Sequence, residues 1–303
     1  MNIDRATDEV SEFLTNLALE KGLAVNSCDA YRIDLMDLIQ FLSIRSVPDW
    51  ESVSALDVSD YVSQLYDLGI AAATVSRRLS AFRGFYKHLQ REGKATHNPA
   101  KLVLGPRESR KLPAVLSLQD IEKLINSLQG DKRIEIKNLA IIEVLYGCGL
   151  RVSELTGLRL SNILADGRVI NVTGKGDKQR LVPMGGLAQE AVLRYLKEVR
   201  PSLVKSTKDA RDSIFLSQRY GKPMSRQAIW QLIKKLALQA GISTAITPHT
   251  FRHSFATHLL EGGAGLRDVQ EFLGHASIET TNIYTHIDKK HLLEVVRTFH
   301  PRA

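Results

Sequence analysis

Between His97 and Pro113 the chain carries a break that neither a helix nor a strand can run through. His97-Asn98-Pro99 opens it, because proline has no backbone N–H and disfavours a helical residue before it. Gly105-Pro-Arg-Glu-Ser-Arg-Lys-Leu-Pro113 follows, polar, basic and bounded by prolines. Such a stretch reads as a linker between separately packed parts. In a chain of 303 residues each side is long enough for its own core. The expectation is one domain over residues 1–106, a basic linker over 107–113, and a second domain over 114–303.

Before the break every apolar pattern is helical. Val10, Phe13, Leu14 and Leu17 make one stripe, and Tyr31, Leu35, Leu38 and Leu42 make a second in a helix opening near Asn26-Ser27. A third helix runs from about Asp57 to Leu68. A fourth runs from Thr74, a hydroxyl cap, to Gln90. Its apolar side is Leu79, Phe82, Phe85 and Tyr86; Arg77, Arg78, Arg83 and Lys87 make the other side basic. Such charges ordinarily form a solvated face. With a formal net charge of +8, which favours a polyanionic partner, they are read as tracking a nucleic-acid backbone. Arg107, Arg110 and Lys111 in the linker join that reading.

After the break the periods mix. Ser117 caps a helix running to about Leu128. Lys137 to Tyr146 reads as a buried helix ending at Gly147. Gly149-Leu-Arg151-Val-Ser-Glu154-Leu places Arg151 and Glu154 three apart on a new helix, so the carboxylate can hold the guanidinium. Residues 168–172 and 179–182 alternate as strands around Thr173-Gly-Lys-Gly-Asp-Lys178, a hairpin that puts Lys175 at or near its tip. Its GKGD lacks the P-loop spacing. A polar loop is expected from Pro201 to about Arg211 and a third strand at Ile214-Phe-Leu216. A helix over Ser225–Gln239 carries Arg226, Lys234 and Lys235, read as facing nucleic acid.

Thr247 to His286 carries the chemistry. Thr247-Pro248 starts a helix that puts His249 and Arg252 on one face, above an apolar stripe of Phe255, Leu259 and Leu260, and ends at Gly262-Gly263. A short helix follows over Leu266–Leu273, then Gly274-His275, and nine residues later Tyr284. The set is a nucleophile (Tyr284), a fork-shaped cation (Arg252) and two imidazoles (His249, His275). That set suits attack on a phosphodiester, whose developing charge must be met by cations. His249 and His253, with His258 beyond, could instead form a metal face, but H-E-x-x-H and a suitably spaced third ligand are missing.

Cys28 and Cys148 carry no disulfide or metal spacing, which fits a reducing cytosol. The polar, acidic MNIDRATDEV start does not resemble a signal peptide, and no apolar run is long enough to span a membrane. A cytoplasmic place is expected.

HTFRHSFATHLLEGG, then LGHASIETTNIYTH, with GLRVSEL upstream, resembles the tyrosine site-specific recombinases, most closely the Xer type. The resemblance covers nearly the whole chain and is strongest from Gly147 to His286. It implies a mainly α fold with a small antiparallel β-sheet, in which a helical N-terminal core-binding domain and an α+β catalytic domain clamp DNA. It implies that Tyr284 forms a 3′-phosphotyrosine while Arg151, Arg252 and His275 contact the phosphate. His249 would assist proton transfer, Lys175 would protonate the leaving oxygen, and Glu154 would fix Arg151. No cofactor is implied. The implied partners are a double-stranded recombination site, a tetramer formed with itself or with a related XerC-like recombinase, and a septal FtsK-like DNA translocase. Chromosome-dimer resolution is the implied role. A phage or transposon integrase, a type IB topoisomerase and a non-catalytic DNA-binding protein are the alternatives; the match disfavours the topoisomerase, and the complete catalytic set disfavours the last.

The tail adds an apolar stripe, Leu292, Leu293, Val296 and Phe299. It can fold back on its own domain or, as the family supports, dock into a neighbouring protomer.

Overall fold

The computed structural model describes residues 1–21, 23, 25–106, 114–164, 167–174, 179–204, 208–274 and 286–303, and of Lys21, Asn26, Lys208 and 286–290 the backbone alone. The chain divides into two compact units, Met1–Lys111 and Leu112–Ala303. It is mainly helical with one small antiparallel sheet, as expected.

The first unit holds α1 (Ile3–Lys21), α2 (Val25–Ile44), α3 (Ala55–Asp67) and α4 (Ala72–Arg91). The apolar stripes meet in one core: Val10, Phe13 and Leu14 from α1, Leu35, Leu38 and Leu42 from α2, Tyr61 and Leu65 from α3, and Leu79, Phe82, Phe85 and Tyr86 from α4. Trp50, between α2 and α3, packs edge-on to Phe85 with ring centres 4.9 Å apart and donates to Glu9 at 2.6 Å. Ser54 and Asp57 cap α3 reciprocally. Helix α4 starts one turn earlier than its hydroxyl suggests. Ala71 is the cap residue, and Thr74 lies inside the first turn.

The second unit is built around α6 (Arg133–Gly147), which is buried from Ile136 onward apart from half-buried Leu139. Helices α5 (Leu118–Asn126), α8 (Gly186–Arg194) and α11 (Arg226–Gln239) share its main core. Strands β1 (Ile163–Leu164), β2 (Val169–Thr173) and β3 (Gln179–Pro183) form an antiparallel sheet in that order, with Ile163 opposite Ile170 and Val169 opposite Pro183. A second cluster joins Val169 and Leu181 of the sheet to α12 (Pro248–Glu261), α13 (Leu266–Leu273) and α14 (His286–Phe299).

Two expected elements differ. Residues 214–216 are not the third strand of the sheet; Ile163–Leu164 is. The backbone of 214–216 is satisfied elsewhere, because the buried Tyr195 hydroxyl donates to the Ile214 carbonyl at 3.1 Å and accepts from the Leu216 N–H at 3.2 Å. The stretch after Pro201 is not one polar loop either. Helix α8 continues through a π-turn, Tyr195–Val199, into α9 (Arg200–Leu203), and Lys208–Asp212 forms α10. Buried Arg200 pins this region by donating to the carbonyls of Ser213 at 3.0 Å and Ala210 at 3.2 Å.

The tail folds back on its own unit. Leu292, Val295 and Val296 bury against Phe255, Leu259 and Phe272. His300 stacks near Tyr146 and Phe255, with ring centres 4.9 Å and 5.4 Å away, and Arg302 pairs with buried Glu143.

Candidate active site

Helix α7 (Val152–Gly157) begins right after Gly149-Leu-Arg151. Gly149 is required there. It sits at φ +58°, and a Cβ would fall 2.3 Å from the Phe255 ring. Arg151 is the cap residue of α7, and Glu154, in its first turn, accepts from the Arg151 backbone N–H and guanidinium, both at 2.8 Å.

The same carboxylate has a second and stronger partner, one that in sequence is an ordinary strand residue. Arg180, on β3, donates to both Glu154 oxygens, at 2.7 and 2.9 Å, in a two-pronged contact. Its Nε donates to the Phe272 carbonyl at 2.8 Å. Alternation along the strand does not reveal this partner, because both faces of β3 are buried, Val182 on one and Leu181 on the other.

Arg252, on α12, reaches the same place. It donates to the Gly149 carbonyl at 2.8 Å and to the Leu273 carbonyl, and lies 3.9 Å from Glu154. Arg151, Arg180 and Arg252 therefore converge from α7, β3 and α12 on one carboxylate, a surplus of two positive charges. The three side chains differ in exposure: 36% for Arg151, 11% for Arg252 and 7% for Arg180, against 2% for Glu154. Burial pushes the Glu154 pKa up, but the hydrogen bonds and charge of Arg180, then of Arg151, outweigh it and hold it at about 2. Burial, then the charge of Arg151, pushes Arg252 down to about 10, so it remains a cation at neutral pH. A fixed, partly desolvated pair of surplus charges suits an anion with several oxygens.

His249 lies exposed on α12, one turn before Arg252. Of the other histidines there, His253 is exposed, while His258 turns inward to the Tyr146 hydroxyl at 2.8 Å. Leu260, expected in the apolar stripe, is 40% exposed. Helix α13 ends at Leu273 with Gly274 in the left-handed conformation. Lys175, His275 and Tyr284 lie outside the described residues, as do Arg107, Arg110 and Lys111.

Residues 114–291 match the phage integrase family, and residues 10–93 match its N-terminal SAM-like domain. The tyrosine recombinase XerD of Oceanobacillus iheyensis is 39% identical over 295 residues, 97% of this chain and 98% of its own. The chain belongs to the Xer-type tyrosine recombinases of the phage integrase family. It is an enzyme of that class, acting in DNA recombination. A tyrosine recombinase XerC of Halalkalibacterium halodurans is as similar, 40% identical over 296 residues and 97% of each chain, so identity does not separate the two kinds. In fold, the Tn1549 transposon integrase, solved with circular intermediate DNA, superposes with a TM-score of 0.73 at 22% identity over 93% of this chain and 98% of that one. No described helix is long and apolar enough to cross a membrane.

The arginines expected to make α4 a basic face are held within their own unit. Arg77 pairs with Asp34, which is fully buried; Arg78 pairs with Asp37 and Tyr61; Arg83 donates to the carbonyls of Ala100 at 3.0 Å and Val103 at 2.7 Å. The sequence reading missed Asp34 and Asp37, which lie on the facing side of α2. Lys87 and Arg226 are exposed, and Arg226 begins the helix on which Lys234 lies over the Trp230 ring at 5.4 Å.

Proposed function

We propose that this chain cuts and rejoins duplex DNA at a specific site through a covalent 3′-phosphotyrosine. The observation that carries the reading is the convergence of Arg151 and Arg252 on the Glu154 carboxylate, in a chain whose sequence also supplies Tyr284, His275 and His249. The Tyr284 oxygen attacks the phosphorus and its proton leaves with help from His249. The bond to the 5′-oxygen breaks, and Lys175 protonates that oxygen. Arg151, Arg252 and His275 meet the charge on the non-bridging oxygens. The ester stores the bond, so attack by a partner strand's 5′-hydroxyl reverses the step without an external energy source. Both units contact the duplex, with residues 107–113 as linker and Arg107 against phosphate. Two sites are held by four protomers, of this chain or of it and a XerC-like partner. Resolution of chromosome dimers in the cytoplasm, under a septal FtsK-like translocase, is the role that fits the family.

The test uses a nicked duplex carrying a site recovered from genomic DNA bound by the purified protein. On a denaturing gel the wild type gives a protein–DNA adduct and Tyr284→Phe gives none while still shifting the duplex. An adduct that survives in the variant removes Tyr284 as nucleophile.

A further inference from the structure

Arg180 spends all three of its guanidinium nitrogens on the site's supports. Two of its nitrogens hold the Glu154 carboxylate that orients Arg151. Its third holds the Phe272 carbonyl, and Arg252 holds the next one, Leu273. Those carbonyls end α13, immediately before Gly274-His275. The stem of Arg180 also lies against Gly274, where a Cβ would come 3.0 Å from its Cδ. Arg180 is carried by β3, the strand that follows the segment bearing Lys175. One side chain thus ties together β3, α7 and the end of α13. Buried ion pairs of this kind contribute little net stability compared with apolar packing, and their better-attested use is to fix one geometry.

We propose that Arg180 is a positioning residue for the cleavage reaction: through Glu154 and the Phe272 carbonyl it sets the placement of Arg151 and of the chain leading into His275. This rests on the function proposed above. It separates Arg180, which never touches DNA, from Arg151 and Arg252, which do. Lysine cannot replace it, because a single ammonium cannot bridge both carboxylate oxygens and the carbonyl with one planar fork.

The test compares Arg180→Met, Arg180→Lys and Glu154→Gln/Arg180→Met on the same nicked duplex. Binding is read by gel shift and adduct formation in a single turnover across pH, each normalised to the folded fraction. The charged groups facing Glu154 among the described residues are Arg151, Arg180 and Arg252. Removing Arg180 leaves burial to push the Glu154 pKa back up from about 2. Arg180→Met is expected to bind DNA almost normally and to form adduct about 100-fold more slowly, the size of effect a small misplacement produces. Its rate should also fall more steeply than the wild type's as the pH drops from neutral, since protonated Glu154 releases Arg151. The double variant should keep the slow rate and lose that extra steepness. Arg180→Lys should keep the wild-type pH profile at a reduced rate, and it carries the test should the methionine variant not fold. If the variants form adduct at the wild-type rate per folded molecule at every pH, Arg180 only stabilises the fold and the inference is wrong. If the wild type itself forms no adduct on any recovered site, the proposed function falls first and takes this inference with it.

Discussion

Arg302 pairs with the buried carboxylate of Glu143, joining the second residue from the C-terminus to the middle of α6 across 159 positions of sequence. Gly185 faces the same terminus, with the Arg302 carbonyl 3.0 Å from where a Cβ would stand. The tail is thereby fastened beyond α14, by charge as well as by its apolar stripe. Arg302→Ala leaves Glu143 buried and unpaired and should destabilise the second unit by about 3 kcal/mol. Adding Glu143→Gln should restore part of that. Urea midpoints of the single and double variants measure it, and equal losses in both would mean that the loss does not come from an unpaired Glu143 charge.

His300 is 5% exposed, and burial, then the charges of His258 and Arg302, push its pKa down to about 4. The unfolded chain binds a proton near the ordinary value of about 6.5. Between those values the unfolded state holds the proton and the folded state does not, so stability rises with pH across the window. It is fully present above about 6.5 and lost as the pH falls toward 4, on the order of 3 kcal/mol. His300→Phe should flatten the stability-against-pH curve relative to the wild type. A curve of unchanged slope would assign the titration to another group.

Gly149→Ala should be among the most damaging small substitutions. The added methyl meets the Phe255 ring at 2.3 Å in a left-handed backbone. A loss of about 3 kcal/mol is expected from strain and overpacking together. Because the Gly149 carbonyl receives Arg252, adduct formation per folded molecule should fall as well. A thermal melt and the adduct gel read the two effects separately.

Lys175→Ala should stop cleavage of ordinary DNA and be rescued by a bridging 5′-sulfur, which leaves without a proton. The motive is the position of Lys175 between two strands paired from Val169–Pro183 to Thr173–Gln179. A variant slowed equally on both substrates would argue against Lys175 as the acid.

Salt dependence should separate exposed from tied cations. Lys87→Ala and Arg226→Ala should each flatten the slope of log K against log salt by about 0.9, the loss of one phosphate contact. Arg78→Ala should instead destabilise the first unit, on the order of 3 kcal/mol, because it faces Asp34 and Asp37. A flattened slope in Arg78→Ala with stability unchanged would restore it to the DNA-facing set.

Helix periods, capping residues and prolines act within a few neighbours, so the sequence by itself determined the four helices of the first unit, α13 to the residue, the hairpin strands and the pairing of Arg151 with Glu154. The order of residue types from Gly147 to Tyr284 likewise determined the family. What the tertiary structure decided were partnerships between distant positions. Glu154 lies 26 residues from Arg180, Arg77 lies 43 from Asp34, and Tyr195 satisfies a segment that reads as a strand. A basic stripe looks the same in sequence whether it meets a phosphate or a carboxylate on the helix beside it. Burial made the difference: a charge taken out of water must find its counter-charge inside, and only the packed chain brings that counter-charge into reach.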